Sequence, residues 1–176
     1  MKNCKDCNEP FEPKQKYNST IKTNRCDVCL KTAQALKNLA SIKKEKKAKQ
    51  KEDLLTLQDY LKLAQAVFNK WIRQRDQGLN CISCDKPCKK ENAGHYFSSG
   101  AHANVRFDEN NVHLQCEYCN TFLHGNLIEY GVNLEKKIGK DEFTILREKA
   151  YLTKKFTKDE LKELLLKYKE KIKDDL

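Results

Sequence analysis

Residues 81–120 read CISCDKPCKKENAGHYFSSGAHANVRFDENNVHLQCEYCN, and this stretch decides the fold that the sequence predicts. It opens and closes with a Cys-x-x-Cys pair, and each pair has the spacing of a zinc knuckle. The polar loop between the pairs carries His95 and has too few apolar residues to be held by burial. A zinc ion would supply the rigidity, and four thiolates would leave it no open coordination position. The predicted ligands of this structural ion are Cys81, Cys84, Cys116 and Cys119.

Two further cysteine pairs lie near the start of the chain. Cys4-x-x-Cys7 and Cys26-x-x-Cys29 flank a polar stretch that is too short to form a core unless a metal joins the pairs. We therefore expect a second structural zinc ion in a Cys4 zinc ribbon over residues 1–30. The alternative is two unrelated thiol pairs.

The 176-residue chain is strongly basic, with a formal net charge of +10. Such a charge suits a partner with dense negative charge, either nucleic acid or an anionic membrane surface. The apolar runs are only a few residues long and the opening residues lack the apolar core of a signal peptide, so we expect an intracellular protein without a membrane partner. In a reducing compartment clustered cysteines bind metal more often than they form disulfides. The ninth cysteine, Cys88, is then a bystander thiol or an alternative zinc ligand.

Residues 31–55 predict a basic helical arm or linker, because good helix formers dominate and lysines outnumber acids. The arm is either a solvated spacer or a surface that follows DNA phosphates. Its candidate phosphate contacts are Lys43, Lys44, Lys46 and Lys47.

Residues 56–176 predict the main core. An apolar stripe at helical spacing indicates one helix that ends before Gly78, with Arg73 and Arg75 at its end able to face DNA. Residues 127–138 and 141–150 predict two more helices. Thr157-x-x-Glu160 predicts the capping box of a final amphipathic helix that docks on the core. The stripe consists of Tyr60, Ala64, Val67, Phe68, Trp71 and Ile72.

The order His95, then Asn-Val-His-Leu-Gln from Asn111, then Cys-x-x-Cys-Asn ending at Asn120, resembles the HNH (His-Me finger) pattern of nucleases with an embedded zinc ion. By this resemblance His95 matches the first His, Asn111 the central Asn, and Asn120 the final metal-binding position. Several runs are similar to a narrower family, the lambdoid-phage NinG (Rap) recombination endonucleases, over nearly the whole chain. The runs are AQAVFNKWIRQRD (64–76), CISC (81–84), AGHYFSSGAH (93–102), VRFDENNVHLQC (105–116), CNTFLHGNL (119–127) and LEKKIG (134–139).

The resemblance implies an α+β protein in which a zinc-stapled ββα-metal (HNH-like) core is flanked by helices. It also implies a structure-specific DNA endonuclease that acts on branched recombination intermediates, such as Holliday junctions and D-loops, in the cytoplasm of a phage-infected bacterium. The residues themselves support phosphodiester hydrolysis, with His95 as general base on a water and Asn120 among the ligands of a catalytic Mg²⁺ or Mn²⁺.

The ligand set of that catalytic ion departs from the wider pattern at one position. An acid usually precedes the first His, whereas this chain has Gly94. His113 is the first candidate to replace the missing ligand because it lies within the motif. Asp108 and Glu91 are the alternatives.

Three other residues have open roles. His124 could approach the ion, contact phosphate or be exposed, and His102 is expected on the loop surface. Arg106 could hold DNA phosphate or lock the loop through a carboxylate such as Asp108. The rival function is a non-catalytic zinc protein that binds DNA junctions. Resolving a junction takes two cuts, so a homodimer would suit the enzyme, although no heptad seam predicts one.

Overall fold

The computed structural model describes residues 1–12 and 24–174, which form a mixed α+β structure with mostly helical content. The chain divides into two compact units, Met1–Leu55 and Thr56–Leu176. The first unit contains β1 (Lys2–Asn3), β2 (Pro10–Phe11) and α1 (Asp27–Asp53). The second contains α2 (Leu57–Arg75), β3 (Glu91–His95), β4 (Val112–Cys116), α3 (Leu127–Ile138), α4 (Lys140–Ala150) and α5 (Lys158–Asp174).

The first unit joins a small antiparallel pair of strands, β1 and β2, to the long helix α1. The predicted helix of the basic arm is confirmed, but it begins at Asp27 rather than Lys31. The reason is local: the Cys26 thiol caps the helix by accepting the backbone N–H of Cys29. At about 1.5 Å per residue, its 27 residues extend about 40 Å. No described residue of α1 is buried within this unit.

The first core of the second unit lies between α2 and α5. Thr56 and Asp59 form a capping box at the start of α2. From that helix Phe68 and Trp71 meet Tyr168 of α5, with ring centroids 4.9 and 5.1 Å apart. The predicted stripe of α2 is buried except for Val67, which is half-buried.

A second core lies among the 3₁₀ turn Ala103–Val105, α3 and α4. Both predicted helices are confirmed, and α4 begins at Lys140, one residue before the predicted start. Gly139, with φ +86°, separates them in a conformation that favours glycine. The predicted capping box of α5 is also confirmed, because Glu160 accepts the Thr157 N–H at 2.8 Å and the Thr157 hydroxyl accepts the Glu160 N–H. The buried cluster is Val105, Tyr130, Leu134, Leu146 and Ala150.

Strands β3 and β4 form an antiparallel hairpin that pairs Gly94 with His113 and His95 with Val112. The hydroxyl of Tyr130, on α3, donates to Gly94 O at 2.8 Å and accepts the His113 N–H at 3.1 Å. A Cβ on residue 94 would lie 2.2 Å from Gln115 Oε1, so only glycine fits. The acid that the wider HNH pattern has before its His is therefore excluded here by packing.

Among the described residues, no helix combines the length and the apolar content that crossing a bilayer requires.

Candidate active site

The four thiols at the base of the β3–β4 hairpin come together as the sequence predicts. Their sulfur atoms all lie within 4.8 Å of one another, so the group could hold a zinc ion. Cys84 and Cys116 have their sulfurs 3.9 Å apart, close to the edge of about 3.8 Å in a tetrahedron with Zn–S bonds of about 2.3 Å. The members of this central group are Cys81, Cys84, Cys116 and Cys119.

Backbone and side-chain donors also point at the sulfurs of the central group. The Cys119 N–H donates to Cys116 Sγ at 3.4 Å, and Asn126 Nδ2 lies 3.9 Å from Cys119 Sγ. One cysteine pair precedes β3 and the other follows it at the end of β4. A bound ion would therefore clamp the open end of the hairpin.

The N-terminal thiols form the second predicted group, with all four sulfurs again within 4.8 Å. The sulfurs of Cys7 and Cys26 are 3.8 Å apart, and the Cys26 N–H donates to Cys4 Sγ at 3.3 Å. The sulfur–sulfur distance suits a tetrahedral zinc site. The members of this N-terminal group are Cys4, Cys7, Cys26 and Cys29.

Cys88 belongs to neither group. Burial, followed by the nearby thiols of Cys81 and Cys116, raises the pKa of Cys88 to about 12. We therefore assign it as a neutral bystander thiol.

His95 is the last residue of β3. Its Nε2 lies 3.1 Å from Arg106 O, and because a carbonyl only accepts, the hydrogen is on Nε2 and the lone pair is on Nδ1. Burial is the main cause that lowers the pKa of His95, and the positive charge of Arg106 lowers it further. The backbone carbonyls of Arg106 and Ala93 act in the opposite direction but do not reverse the shift. The ring is thus neutral at physiological pH, as a general base must be.

Asn111 fixes the loop that follows His95. It is buried, accepts the Phe97 N–H on Oδ1 at 2.8 Å, and donates from Nδ2 to Phe97 O and Val105 O at 3.0 Å each. All these bonds are internal. Asn111 therefore positions the His95 loop and leaves contact with a substrate to other residues.

Three of the four histidines line a single cavity of about 300 Å³, together with Phe97 and Leu127. His124 is exposed and has φ +49°, which turns the chain just before Gly125. His102 donates from Nδ1 to Ala150 O, 2.9 Å away, at the end of α4, so its Nε2 keeps a lone pair. The sequence left His124 open and placed His102 on the loop surface, whereas the structure puts both beside His95.

Asn120 lies half-buried in a helical turn, Tyr118–Phe122, directly after Cys119. The predicted helix start at this position is a single π turn. Asn120 does not line the cavity that His95 shares with His102 and His124. Its role as an ion ligand stays a prediction.

His113 is buried, and both of its ring nitrogens have protein partners. Nδ1 lies 3.0 Å from Arg75 Nη2 and 3.7 Å from the Asp76 carboxylate, and Nε2 lies 3.2 Å from Asn110 O. Burial is the main cause that lowers the pKa of His113. We assign His113 to the scaffold, in place of the ligand role that the sequence predicted.

The two acidic alternatives also lie away from the cavity. Asp108 accepts the Asn110 N–H at 2.9 Å and lies 3.8 Å from the amine of Lys149. Glu91 is exposed at the opposite end of β3 from His95.

Arg75 also serves the scaffold. Its guanidinium makes two 2.8 Å bonds to Asp76 and donates to Glu109 O and Val112 O. Burial opposes ionisation of Asp76, but the nearby His113 ring and the bonds from Arg75 hold its pKa well below the usual range. We therefore assign Arg75 to this buried network rather than to DNA contact.

The remaining predicted phosphate contacts differ in exposure. Arg106 donates to Gln65 Oε1 at 2.7 Å and to Ser99 O at 3.4 Å, so it locks the loop, though not through Asp108. Arg73 is half-buried on α2. The exposed side chains of α1 include Lys43, Lys44, Lys46 and Lys47.

The described structure is thus a helix-rich α+β protein with two four-thiol groups that could hold zinc. The family model described as Bacteriophage Lambda NinG protein matches residues 1–175, and the chain belongs to the NinG family.

Curated relatives from several phages share the name protein ninG. The one from Escherichia phage 933W is 38% identical over 116 residues, which are 65% of this chain and 57% of the relative. The one from Salmonella phage P22 is 39% identical over 119 residues, with the same two coverages. The one from Escherichia phage lambda is 37% identical over 116 residues, 65% of this chain and 56% of the relative. The match thus spans little more than half the length of these relatives, and no solved structure matches the chain.

Proposed function

We propose that the chain is a metal-dependent endonuclease of the HNH type that cuts branched DNA at the cavity lined by His95, His102 and His124. One observation carries this proposal. His95 is a neutral histidine whose Nδ1 keeps its lone pair, on a cavity beside a hairpin that four thiols could clamp. The hairpin β3–β4 followed by a turn and α3 has the order of elements of a ββα-metal core.

His95 Nδ1 would take the proton of a water that attacks the scissile phosphorus, while Nε2 stays bonded to Arg106 O. The carbonyl bond keeps the ring in one tautomer and orientation. Asn111 contributes by holding the loop after His95 in place. Once protonated, the imidazolium would be partly buried, and the negative phosphate would stabilise it.

The described residues bring three or more metal-ligating side chains together only in the two four-thiol groups, so a catalytic divalent ion would be held by a few side chains and by the DNA phosphate. His124 offers an exposed imidazole on the cavity, and Asn120, in the preceding turn but outside the cavity lining, is the second proposed ligand. Among the described residues, no carboxylate lines the cavity. Imidazole suits transition metals better than Mg²⁺, so we expect Mn²⁺ to support activity at lower concentration. When bound, the ion would stabilise charge on the phosphate and on the leaving oxygen.

The basic charge supports DNA as the substrate, and the resemblance of the sequence to the NinG (Rap) recombination endonucleases implies branched recombination intermediates as its form. Two cuts are needed to resolve a junction, so a homodimer on the junction is part of the proposal. The rival, a zinc protein that binds junctions without cutting, is favoured by one observation: Gly94 and the cavity lining leave the ion without a carboxylate.

The test is cleavage of a labelled Holliday junction, a flap and a linear duplex with Mg²⁺, with Mn²⁺ or with no added divalent ion. His95→Ala should lower the cleavage rate by about 10²- to 10⁴-fold while zinc content and junction affinity stay unchanged. His124→Ala should instead raise the Mn²⁺ concentration needed for half-maximal cleavage. Asn120→Ala in the same titration tests the second ligand.

Two outcomes would overturn the proposal. Cleavage by His95→Ala at the wild-type rate would mean that the base lies elsewhere. Tight junction binding by the wild type without any cutting, in Mg²⁺ or in Mn²⁺, would favour the binding-only function.

A further inference from the structure

Two aromatic rings are exposed beside the central four-thiol group. Tyr118 is 63% exposed and Phe122 is 66% exposed, although both belong to the turn that contains the buried Cys119. Their ring centroids are 6.1 Å apart and the rings are tilted by 31°. We refer to Tyr118 and Phe122 as the aromatic platform. The thiol group fixes the turn, so the rings are held in place without being covered by this unit.

The aromatic platform forms one wall of a groove of about 410 Å³ whose other lining residues include lysines. Lys86, Lys89 and Lys90 are all exposed there. The acid in the groove is Glu117, and it is ion-paired with Lys90. Lys86 and Lys89 therefore leave the groove positively charged.

We propose that the aromatic platform stacks an unpaired base of single-stranded DNA while Lys86 and Lys89 contact the adjoining phosphates. Exposed aromatic rings beside a basic groove are the chemistry by which proteins hold single strands, because every base offers a π face and every nucleotide a charge. A protein partner would require an apolar surface with its own acidic rim. The lysine charge favours the nucleic acid.

One turn of the chain contributes to both the groove and the cavity of His95. Leu123 lines the groove, and the next residue, His124, lines the cavity. A strand held in the groove would therefore contact the same turn that carries His124. This step rests on the proposed function: in linear duplex all bases are paired and stacked, whereas a flap or an opened branch offers an unpaired base at less cost. The platform would thus select branched over linear DNA.

The experiment measures binding by the full-length chain without added Mg²⁺ or Mn²⁺, so that no cutting is required. The probes are a labelled single strand, a flap and a linear duplex, with 2-aminopurine in the unpaired arm to report stacking. Tyr118→Ala and Phe122→Ala together should weaken binding to the single strand and flap by about 5- to 150-fold and abolish the 2-aminopurine quenching. Duplex affinity should change little.

Matched variants separate stacking from folding. Leu166→Ala removes another exposed apolar side chain, on α5 at 60% exposure, and should leave all affinities unchanged. Tyr118→Phe and Phe122→Trp keep the ring faces and should retain binding to the single strand. Lys86→Glu and Lys89→Glu should each lower the salt dependence of binding to the single strand by about one unit of slope.

The binding measurements test the stacking proposal independently of the cleavage assay. If the double alanine variant binds the single strand and the flap like the wild type, the proposal fails and the platform is left for a protein partner. An equal loss for duplex and single strand would also overturn it. A chain that never cuts DNA could still stack an unpaired base, so this inference and the proposed function can fail independently.

Discussion

The two four-thiol groups use the same ligands at the same spacing, but the structure around them differs. The N-terminal group joins two strands of two residues each to the start of α1, and Cys4 is its one buried thiol. The central group joins the two five-residue strands of the β3–β4 hairpin, which Tyr130, Asn111 and Asp76 also hold in place. In the first unit the metal would be the main source of order, whereas in the second it would complete a site that packing already holds.

Removing one ligand from each group gives the largest expected contrast. Structural zinc contributes about 10–16 kcal/mol to the folding of zinc-finger peptides, far more than the small strand pair β1–β2 could replace. Cys26→Ser should therefore unfold the strand pair and remove one of two zinc ions. Cys116→Ser should remove the other ion and abolish cleavage while the α2–α5 core stays folded.

Metal analysis measures the loss of zinc, hydrogen exchange measures the unfolding of the strand pair, and the cleavage assay measures the loss of activity, all on the same preparations. The wild type should contain two zinc ions per chain, and Cys88→Ser should keep both, since Cys88 lies outside each group. Fewer than one ion in reduced wild-type protein would contradict the assignment of both groups.

The sequence predicts the thiol groups well because ligand spacing is a local property. It does not predict which residues line the cavity, because that depends on contacts between residues far apart in the sequence. His102 and His124 line the cavity of His95 because Ala150 O anchors one ring and a turn with positive φ redirects the other. Neither feature leaves a periodic signal, so the sequence could place His95 and Asn111 but not their neighbours.

Arg75 teaches the same lesson from the scaffold. A helix-terminal arginine in a basic chain has the sequence signature of a DNA contact, yet here it bonds Asp76 and two carbonyls of the β4 region. The sequence likewise does not predict the exposure of Tyr118 and Phe122, since Phe is often buried and Tyr has intermediate burial.

The second prediction tests how much stability the second unit gains from its buried polar network, apart from any contribution of the metal. Asp76→Ala leaves the guanidinium of Arg75 and the backbone N–H of Leu114 without their carboxylate. Breaking a buried pair in this way typically costs about 3–5 kcal/mol. Chemical denaturation of zinc-loaded protein should show this loss, which would exceed that from a Lys90→Ala change at the exposed pair with Glu117.

The pH dependence of stability follows from the same carboxylate. The pKa of Asp76 is lower in the folded chain than in the unfolded one, so its contribution is present above the unfolded value of about 3.9. It is lost as the pH falls through the folded pKa. Asp76→Ala should therefore flatten the acid side of the stability profile, and an unchanged profile would contradict the role given to Asp76.

A smaller loss of stability is expected from a change at Gly94, which packs against Gln115 within the hairpin. Gly94→Ala would force its Cβ to within 2.2 Å of Gln115 Oε1 unless the strands move apart. Overpacking of this kind costs about 1–3 kcal/mol. Gly100→Ala is the matched control, because its Cβ would meet no atom of the described part of the chain within 4 Å. Equal stabilities of the two variants would show that the hairpin yields more easily than its packing indicates.

The last prediction concerns α1, a lysine-rich helix in which no described residue is buried. Lys43, Lys44, Lys46 and Lys47 are exposed, and if they follow DNA phosphates, removing each lysine–phosphate pair should lower the salt slope of binding by about one unit. Replacing all four by Glu should therefore weaken junction and duplex binding alike and flatten the salt dependence, while the maximal rate of cutting on saturated DNA stays the same. A variant with four exposed lysines of the second unit changed to Glu, at Lys136, Lys140, Lys155 and Lys169, controls for the same change in net charge. A slope that changes no more in the α1 variant than in this control would make α1 a solvated spacer. A steeper loss for junction than for duplex would mean that α1 reads the branch, and the two units would then share the recognition of the substrate.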